Sequence, residues 1–390
     1  MLRNVSRLLL SLSLLTTPVY ANASTDNAYI DVEQQRLPKA RETMPQITDR
    51  YQSLTNNFIP QFQRTDNELT LTQLVARQGQ RLWQQAVRDV QSGSPDDRPL
   101  YWGRLALKQM LQHQTPGFTP AQWQRNILLS AAEKNSRGIT DIRFDADSDI
   151  KILLTGFDPF RLDKQIDQSN PSGLIALALD GYTFMSDKRK VQIETVLIPV
   201  RFTDFDNGLI ESLLTPFYVQ QQVDAIITVS MGRDHFQLER FAGKNRSANA
   251  PDNNKRYSGA TPSHPTVPLL ANTPLSGPEY LEFSLPAKAI LFAQGQWQIS
   301  DNRQVTTLER GDFSAPSLSA LQNVTAVTGS GGGYLSNEIT YRALRLRALL
   351  DSQIATGHIH TPAISGYDRN KQNAMLEQMR AILQATAAML

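Results

Sequence analysis

Apolar side chains recur at near-helical spacing through the N-terminal third of the chain, and they predict a helical unit over residues 49–137. The predicted helices are residues 69–91, residues 101–113, and a helix that starts at the Thr119-Pro120 signal and runs through Ala132. Trp83, Trp102 and Trp123 are expected to pack this unit, because aromatic side chains dominate burial. Residues 24–48 are polar with little periodicity, which predicts a poorly packed arm.

From Asp149 onward, short apolar runs alternate with amphipathic runs. The predicted strands are 152–155, 191–200, 224–229, 323–328 and 357–361, and the predicted helices are 171–179, 208–221, 285–292, a helix after Ser336, and 370–389. This alternation predicts a three-layer α/β/α fold with a mainly parallel (mixed) sheet, preceded by an α-helical N-terminal segment. Two long polar segments interrupt it, residues 245–275 and an inserted hairpin or loop at 295–319, and such loops are often functional or disordered.

The first 23 residues have the pattern of a secretory signal peptide. Arg3 and Arg7 precede a short apolar core, and Ala21-Asn22-Ala23 is a small-x-small cleavage site. We therefore expect a mature chain that begins at Ser24 and is periplasmic or secreted, with no integral membrane span after processing. The alternative is an uncleaved segment that anchors the chain. The predicted organisation is a signal peptide (1–23), a polar arm and helical segment (24–148), and an α/β domain (149–390).

Composition narrows the chemistry further. The formal net charge is +2, which gives no argument for nucleic acid as a partner. The chain has no cysteine, so disulfides, thiolate catalysis and cysteine metal sites are excluded. The sequence leaves a homo-oligomer open.

A glycine-rich stretch, residues 329–338, lies between a predicted strand and a predicted helix. A strand, a glycine turn and a helix together aim backbone N–H groups and a side chain at one point. Ser336 could be a nucleophile in a site that also stabilises an oxyanion. Alternatively, it is a helix N-cap, with Glu338 favoured in the first turn by the helix dipole.

Two histidines and one glutamate are candidates for the remaining chemistry. Strand alternation places His358 and His360 on the same face. No further ligands stand at a familiar metal spacing, so we expect neither a metal nor another cofactor. Glu239 lies in an apolar setting and could orient a histidine base, or it forms an ion pair with Arg240 or another surface cation.

Taken in order, several motifs resemble the pyroglutamyl peptidase I (pyrrolidone-carboxylate peptidase) family, from about residue 150 to the end of the chain. The motifs are Thr155-Gly156-Phe157-Asp158-Pro159-Phe160 after a strand, Asn170-Pro171-Ser172, Leu238-Glu239-Arg240 with Ala242 and Asn245, Pro251-Asp252-Asn253, Gly277-Pro278, Ser284-Leu285-Pro286, Gly332-Gly333-Tyr334-Leu335-Ser336-Asn337, and Gly357-His358-Ile359-His360-Thr361-Pro362. The helical segment before residue 149 has no counterpart in this resemblance.

The resemblance implies a catalytic triad of Glu239, Ser336 and His360. It also implies a pocket for the pyroglutamyl ring lined by Phe157 and Phe160, with Tyr334 and Leu335 beside it. The sequence departs from the family in two places that bear on this site. Ser336 stands where the family has its nucleophilic cysteine, and residues 229–232 lack the glutamine with which many bacterial members help to hold the lactam.

Two hypotheses follow for the function. The first is a hydrolase that uses Ser336, His360 and Glu239 to remove an N-terminal pyroglutamyl group, or a similar cap, from peptides. The second is a catalytically inactive relative that binds peptides or cell-envelope fragments, with the N-terminal helices as a partner surface. In both cases the partner is a peptide substrate or ligand.

Overall fold

The structure is a computed structural model and describes residues 31–390. The predicted signal peptide lies outside these residues. The helices are α1 Leu37–Thr43, α2 Pro45–Thr48, α3 Gln52–Arg64, α4 Glu68–Gln91, α5 Arg98–His113, α6 Gln122–Asn135, α7 Pro171–Leu179, α8 Phe202–Asp206, α9 Leu209–Gln220, α10 Ala287–Ile290, α11 Leu335–Leu349 and α12 Arg369–Ala387. The strands are β1 Ile150–Phe157, β2 Tyr182–Ser186, β3 Arg189–Ile198, β4 Ala225–Met231, β5 Phe236–Glu239, β6 Phe241–Gly243, β7 Leu269–Leu270, β8 Thr273–Pro274, β9 Tyr280–Glu282, β10 Ile299–Asn302, β11 Gln304–Thr307, β12 Gly311–Ser314, β13 Ala326–Thr328 and β14 Ala355–Thr361.

The central sheet has seven strands in the order β10-β5-β14-β4-β1-β3-β2. Its four middle strands, β14, β4, β1 and β3, are parallel neighbours. Strand β2 pairs antiparallel with β3, and β5 pairs antiparallel with β14 but parallel with β10. Strand β1 has β3 on one side and β4 on the other. The order of the strands therefore reverses at β1, and in open α/β sheets a ligand crevice forms at such a point, outside the carboxyl ends of the strands.

Helices cover both faces of this sheet. Leu174 and Met379, from α7 and α12, belong to the apolar core on one face, and Leu214 and Ile339, from α9 and α11, belong to the core on the other. The predicted three-layer α/β/α fold with a mainly parallel, mixed sheet and a helical N-terminal segment is confirmed. The fully buried parallel strands read as continuous apolar runs because neither of their faces meets water.

The N-terminal helices share the first of these cores, since Leu71, Val75 and Trp83 pack in the same cluster as Ile150 and Leu174. Trp83 also donates a hydrogen bond through Nε1 to Asp180, over 3.1 Å. The helical unit is therefore built onto the sheet. Among residues 31–390, no helix is long and apolar enough to cross a membrane.

Two expectations for this region are wrong. The polar segment that ends at residue 48 is helical from Gln34 onward, and Leu37, Ala40 and Met44 are buried against the helical unit. Few apolar positions are enough here, because α5 supplies an apolar surface for them. Trp123 is 58% exposed, whereas Trp83 and Trp102 are buried as expected.

A cluster of charged side chains lies where the helical unit meets the α/β layers. Asp158 is 1% exposed and accepts hydrogen bonds from Arg104 and Arg137. Burial alone would raise the pKa of Asp158, but the two guanidinium groups outweigh burial and the pKa is lowered. Glu133 extends the cluster, with ion pairs to Arg137 and Arg201. Each buried charge thus has partners of the opposite sign, as burial requires.

Candidate active site

The residues of interest meet at the carboxyl ends of the central strands. Phe157 ends β1, Ser230 lies at the end of β4, and His360 lies at the end of β14, where it pairs in register with Ser230. The glycine-rich loop and the N-terminus of α11 close the same region, and Ser336 lies in the first turn of that helix. The motifs, which are far apart in sequence, therefore converge at the point where the strand order reverses.

Glu239 and His360 form a buried pair. Nδ1 of His360 lies 2.5 Å from Oε1 of Glu239, and both residues are buried, at 8% and 1% exposure. Strands β5 and β14 hold them, because Ile359 pairs with Leu238 and the two side chains project from adjacent positions. A carboxylate in contact with Nδ1 fixes the ring so that Nε2 is left for other chemistry.

The second oxygen of Glu239 is also occupied. Asn302, at the end of β10, donates from Nδ2 to Oε2 of Glu239 over 2.9 Å, and to the carbonyl of Ser330 over 2.9 Å. The suggested ion pair between Glu239 and Arg240 is absent from the described residues, since Arg240 binds Asp301 instead, at 2.7 and 2.9 Å. Asn302 was not predicted, because only the folded position of the 299–302 strand brings it near Glu239.

Ser336 is not the cap of its helix. The N-cap position is Tyr334, and Ser336 lies inside the first turn, where its hydroxyl donates to the carbonyl of Gly331 over 3.1 Å. Glu338 lies in the first turn, as expected. It is also buried, and it forms ion pairs with Arg246 and Arg342. Ser336 therefore points back over the glycine-rich loop.

The glycine-rich loop passes close to other backbone and side chains. A Cβ atom on Gly329 would lie 2.0 Å from Oδ1 of Asn337, and one on Gly333 would lie 1.9 Å from Oγ of Ser247. Asn337 in turn anchors the loop to β6, accepting from the N–H of Gly243 over 2.9 Å and donating to its carbonyl over 2.7 Å. Glycine is thus required at these points by close approach.

A small cavity lies beside Ser336. Its volume is about 40 Å³. All four residues predicted for the ring pocket line it, and they are Phe157, Phe160, Tyr334 and Leu335. Asn170, Val200, Ser230, Met231 and Ser336 complete the wall. The structure therefore brings the predicted pocket residues together around one mostly apolar space.

The cavity adjoins a larger groove of about 1580 Å³. Phe160, Met231, Tyr334 and Ser336 line both spaces, and His360 lies on the wall of the groove. Exposed Arg161, Lys164, Arg233 and Asp234 stand along it. A group bound in the cavity would therefore have its attached chain in the groove, next to His360 and Ser336.

His358 lies behind His360 on the same strand face, as strand alternation predicts, with the two rings edge to face at 4.8 Å between centroids. It is fully buried, and its ring nitrogens contact the hydroxyls of Thr228 and Ser230 at 2.7 and 2.8 Å. Burial, with a smaller effect of His360, holds the pKa of His358 well below its usual range. Within residues 31–390 no group of three or more His, Asp or Glu side chains is placed to hold a metal ion.

Comparison with protein families identifies the chain. A profile described as the C-terminal domain of PA0049 matches residues 151–279 and 298–365, just over half of the chain. The profile of the PA0049 N-terminal domain matches residues 16–133. The chain belongs to the PA0049 family. The C-terminal profile covers Glu239, Ser336 and His360, and the N-terminal profile covers the helices that supply Arg104 to Asp158.

One curated relative is the uncharacterized protein PA0049 of Pseudomonas aeruginosa, which is 29% identical over 387 residues, covering 75% of this chain and 70% of the relative. Among solved structures, a mutant pyrrolidone carboxyl peptidase from the hyperthermophile Pyrococcus furiosus is 22% identical, covering 61% of this chain and 98% of that chain, with a TM-score of 0.41. Another structure of that enzyme gives 21% identity, the same coverage and a TM-score of 0.42.

Proposed function

We propose that this chain is a hydrolase that removes an N-terminal pyroglutamyl group, or a similar compact cap, from peptides. The observation that carries the proposal is the buried Glu239–His360 pair, because His360 lies on the wall of the groove that Ser336 also lines. A serine and a histidine in one groove, with a carboxylate bound to the histidine, are the components of acyl transfer on several unrelated folds. The sequence motifs that resemble pyroglutamyl peptidase I supply the substrate class.

In this proposal the cap occupies the cavity and the peptide follows the groove. Ser336 turns from the Gly331 carbonyl toward Nε2 of His360, which takes the hydroxyl proton as Oγ attacks the carbonyl carbon of the cap. His360 then gives that proton to the leaving amine as the C–N bond breaks, while Glu239 stabilises the imidazolium. Water, with His360 again as the base, then attacks the acyl-serine ester, which releases the cap as its acid and restores the Ser336 hydroxyl. Apo structures often show such contacts long or misaligned, and they tighten when substrate binds.

The developing oxyanion needs donors that are already in place. The first turn of α11, which contains Ser336, presents backbone N–H groups that have no partner within the helix. The positive end of the helix dipole lies at the same point. Fixed donors of this kind favour the tetrahedral intermediate over the planar substrate, which is where catalytic stabilisation acts.

The test is release of a reporter amine from a pyroglutamyl conjugate by the purified full chain. We expect turnover by the wild-type chain, and its loss in Ser336→Ala and in His360→Gln. Ser319→Ala, at an exposed serine outside the groove, is the matched control and should leave the rate unchanged. Absence of turnover, or equal rates with and without the Ser336 hydroxyl, would exclude this mechanism.

A second function is favoured by one observation. The Ser336 hydroxyl donates to Gly331, not to His360, so the site could equally hold a ligand without cleaving it. We propose as the alternative a catalytically inactive relative that binds capped peptides or cell-envelope fragments. Its signature would be calorimetric binding of a pyroglutamyl peptide without turnover, and a gain of activity in Ser336→Cys, because a thiol ionises far more readily than a hydroxyl.

We also propose that the chain is exported to the periplasm or secreted. The support is the n-region, apolar core and cleavage site within residues 1–23. N-terminal sequencing of the protein from its native cell fraction should give Ser24 as the first residue. Recovery of Met1 would contradict the proposal.

A further inference from the structure

We propose that Ser230, oriented by His358, is the recognition group of the cavity and selects a neutral, compact ring that carries an amide edge. This inference rests on the proposed function, because it assigns the part of the substrate that the cavity holds. Its observations are separate from the Glu239–His360 pair. They are the hydrogen bonds among Thr228, His358 and Ser230, and the hydrogen-bond partners that the other polar side chains of the cavity wall already have.

The three residues form a short chain of hydrogen bonds across two paired strands. Thr228 and Ser230 are two positions apart on β4 and face His358 on β14, so the imidazole lies between two hydroxyls, at 2.7 Å from one and 2.8 Å from the other. Thr228 and His358 are fully buried, and Ser230 is the member that lines the cavity. His358 thus fixes the direction of one hydroxyl at the cavity wall.

The imidazole is neutral, because burial lowers the pKa of His358, and a neutral ring has one donor and one acceptor nitrogen. In one tautomer, Nδ1 of His358 carries the proton and donates to the hydroxyl of Thr228, which itself donates to the carbonyl of Gly357 over 3.3 Å. Nε2 of His358 is then the acceptor, and the hydroxyl of Ser230 donates to it. The lone pairs of Ser230 then accept an N–H from a ligand. In the other tautomer Nε2–H donates to Ser230, whose own O–H is free to donate to a ligand carbonyl. An amide edge satisfies either arrangement.

The other polar side chains of the cavity wall already have partners. Asn170 accepts from Ser172 and donates to the carbonyl of Asp158, over 3.1 and 3.0 Å. Tyr334 donates its hydroxyl to the carbonyl of Pro251, over 2.9 Å. Ser336 donates to Gly331. Among the described residues that line the cavity, Ser230 is therefore the side chain best placed to contact a polar group of the ligand.

Size and charge limit the ligand further. A volume of about 40 Å³ has room for about three water molecules, or for a ring of similar bulk. The apolar wall and the neutral imidazole offer no counter-charge, so an ionised group would lose its hydration without compensation. A five-membered lactam is neutral, compact and carries an N–H next to a C=O.

The test measures binding of three ring probes to the full chain, by ligand-detected NMR or calorimetry. The probes are 2-pyrrolidone, which has the amide edge, cyclopentanone, which has the carbonyl alone, and cyclopentane, which has neither. We expect 2-pyrrolidone to bind most tightly, and Ser230→Ala to weaken its binding about tenfold while leaving cyclopentane unchanged, as for loss of one buried hydrogen bond. Cyclopentanone shows which tautomer operates, since it binds well only if Ser230 donates.

Two further variants separate recognition from loss of structure. Ser230→Thr keeps the hydroxyl and should retain most of the affinity, and His358→Phe keeps the ring bulk but frees Ser230 to rotate, so 2-pyrrolidone should again bind less tightly. Ser352→Ala, at a buried serine elsewhere, is the matched control and should have no effect. Equal affinity of the wild type and Ser230→Ala for 2-pyrrolidone, or no binding to the wild type, overturns the inference. Ser230-dependent binding without peptide turnover would overturn the hydrolase proposal alone.

Discussion

At the scale of single residues, the candidate site depends on how one imidazole is held. One carboxylate oxygen of Glu239 contacts Nδ1 of His360, and the other accepts a hydrogen bond from Asn302. Each oxygen therefore has a partner, and the carboxylate is almost fully buried. A carboxamide has the same shape but only one acceptor oxygen and no charge. It could not both receive Asn302 and stabilise an imidazolium.

We therefore expect Glu239→Gln to lower kcat for a pyroglutamyl reporter by on the order of a hundredfold or more, with a much smaller change in KM. The reason is that binding uses the cavity, whereas proton transfer uses His360. Glu282→Gln is the control, because Glu282 is a partly exposed carboxylate that faces Arg240. A kcat that stays within a factor of two of the wild type would show that Glu239 has no part in the reaction.

The sequence could predict the Glu239–His360 pair only through the order of motifs that resemble a known family. It could not predict that Ser336 donates to Gly331, because that bond depends on how the glycine-rich loop folds back over the helix. The contact between Ser230 and His358 cannot be predicted from the sequence for a similar reason. Their pairing needs the parallel register of β4 and β14, which no local pattern encodes.

At the scale of elements, the glycine-rich loop shows where side chains are excluded. We expect Gly329→Ala to destabilise the protein by about 1–3 kcal/mol, because its Cβ would overlap the Asn337 side chain that ties α11 to β6. Gly331→Ala is the matched control, since the nearest atoms would be 3.5 Å from its Cβ. Urea unfolding of both variants tests this, and equal midpoints would contradict it.

The junction between α5 and α7 joins the helical unit to the cavity. Asp97, just before α5, is fully buried and accepts from the hydroxyl of Ser169 and, over 2.9 Å, from the N–H of Asn170, whose side chain lines the cavity. We expect Asp97→Ala to cost about 2–4 kcal/mol of stability, since two donors lose their acceptor. Asp97→Asn keeps one acceptor oxygen and should cost less. Thermal unfolding would measure both, and a silent Asp97→Ala would refute the role of this junction.

Most helices and central strands could be predicted from hydrophobic periodicity, because each buries one face or both. The sequence does not predict short segments that are stabilised by packing against, or pairing with, distant parts of the chain. Residues 34–48 are polar in sequence, yet helices α1 and α2 form against α5. Strand β10 is a short run whose neighbour in the sheet is β5, distant in the chain, so only the tertiary structure makes it part of the central sheet.

At the scale of the whole molecule, buried carboxylates of two kinds set the dependence on pH. Burial raises the pKa of Asp97 and of Glu194 to about 7, so both bind protons more tightly when folded. Arginine partners outweigh burial at Asp158 and Glu133, whose pKa values are lowered. Protonation of Asp97 and Glu194 therefore favours the folded state, whereas protonation of Asp158 and Glu133 favours the unfolded state.

We therefore expect the free energy of unfolding to rise as the pH falls from about 7.5 to about 5, and to decrease below about pH 4 as Asp158 and Glu133 protonate. Urea titrations across this range would measure the curve. Glu194→Gln removes one of the two carboxyl groups whose pKa is raised. This variant should gain less stability between about pH 7.5 and about pH 5, and should lose stability below about pH 4 as the wild type does. A curve with no gain between neutral pH and pH 5 would contradict the first half of the prediction.

The ionic cluster between the N-terminal helices and the α/β layers also limits how the gene for this chain can recombine. Asp158 belongs to the loop that carries Phe160 to the cavity, and its counter-charges, Arg104 and Arg137, come from the segment that precedes the sheet. A recombination event that replaced only one of the two segments would bury charges without partners, at a cost of several kcal/mol for each. Gene fusion or domain shuffling should therefore move the two halves together, and a substitution at Asp158 should survive only alongside changes in the arginines that bind it.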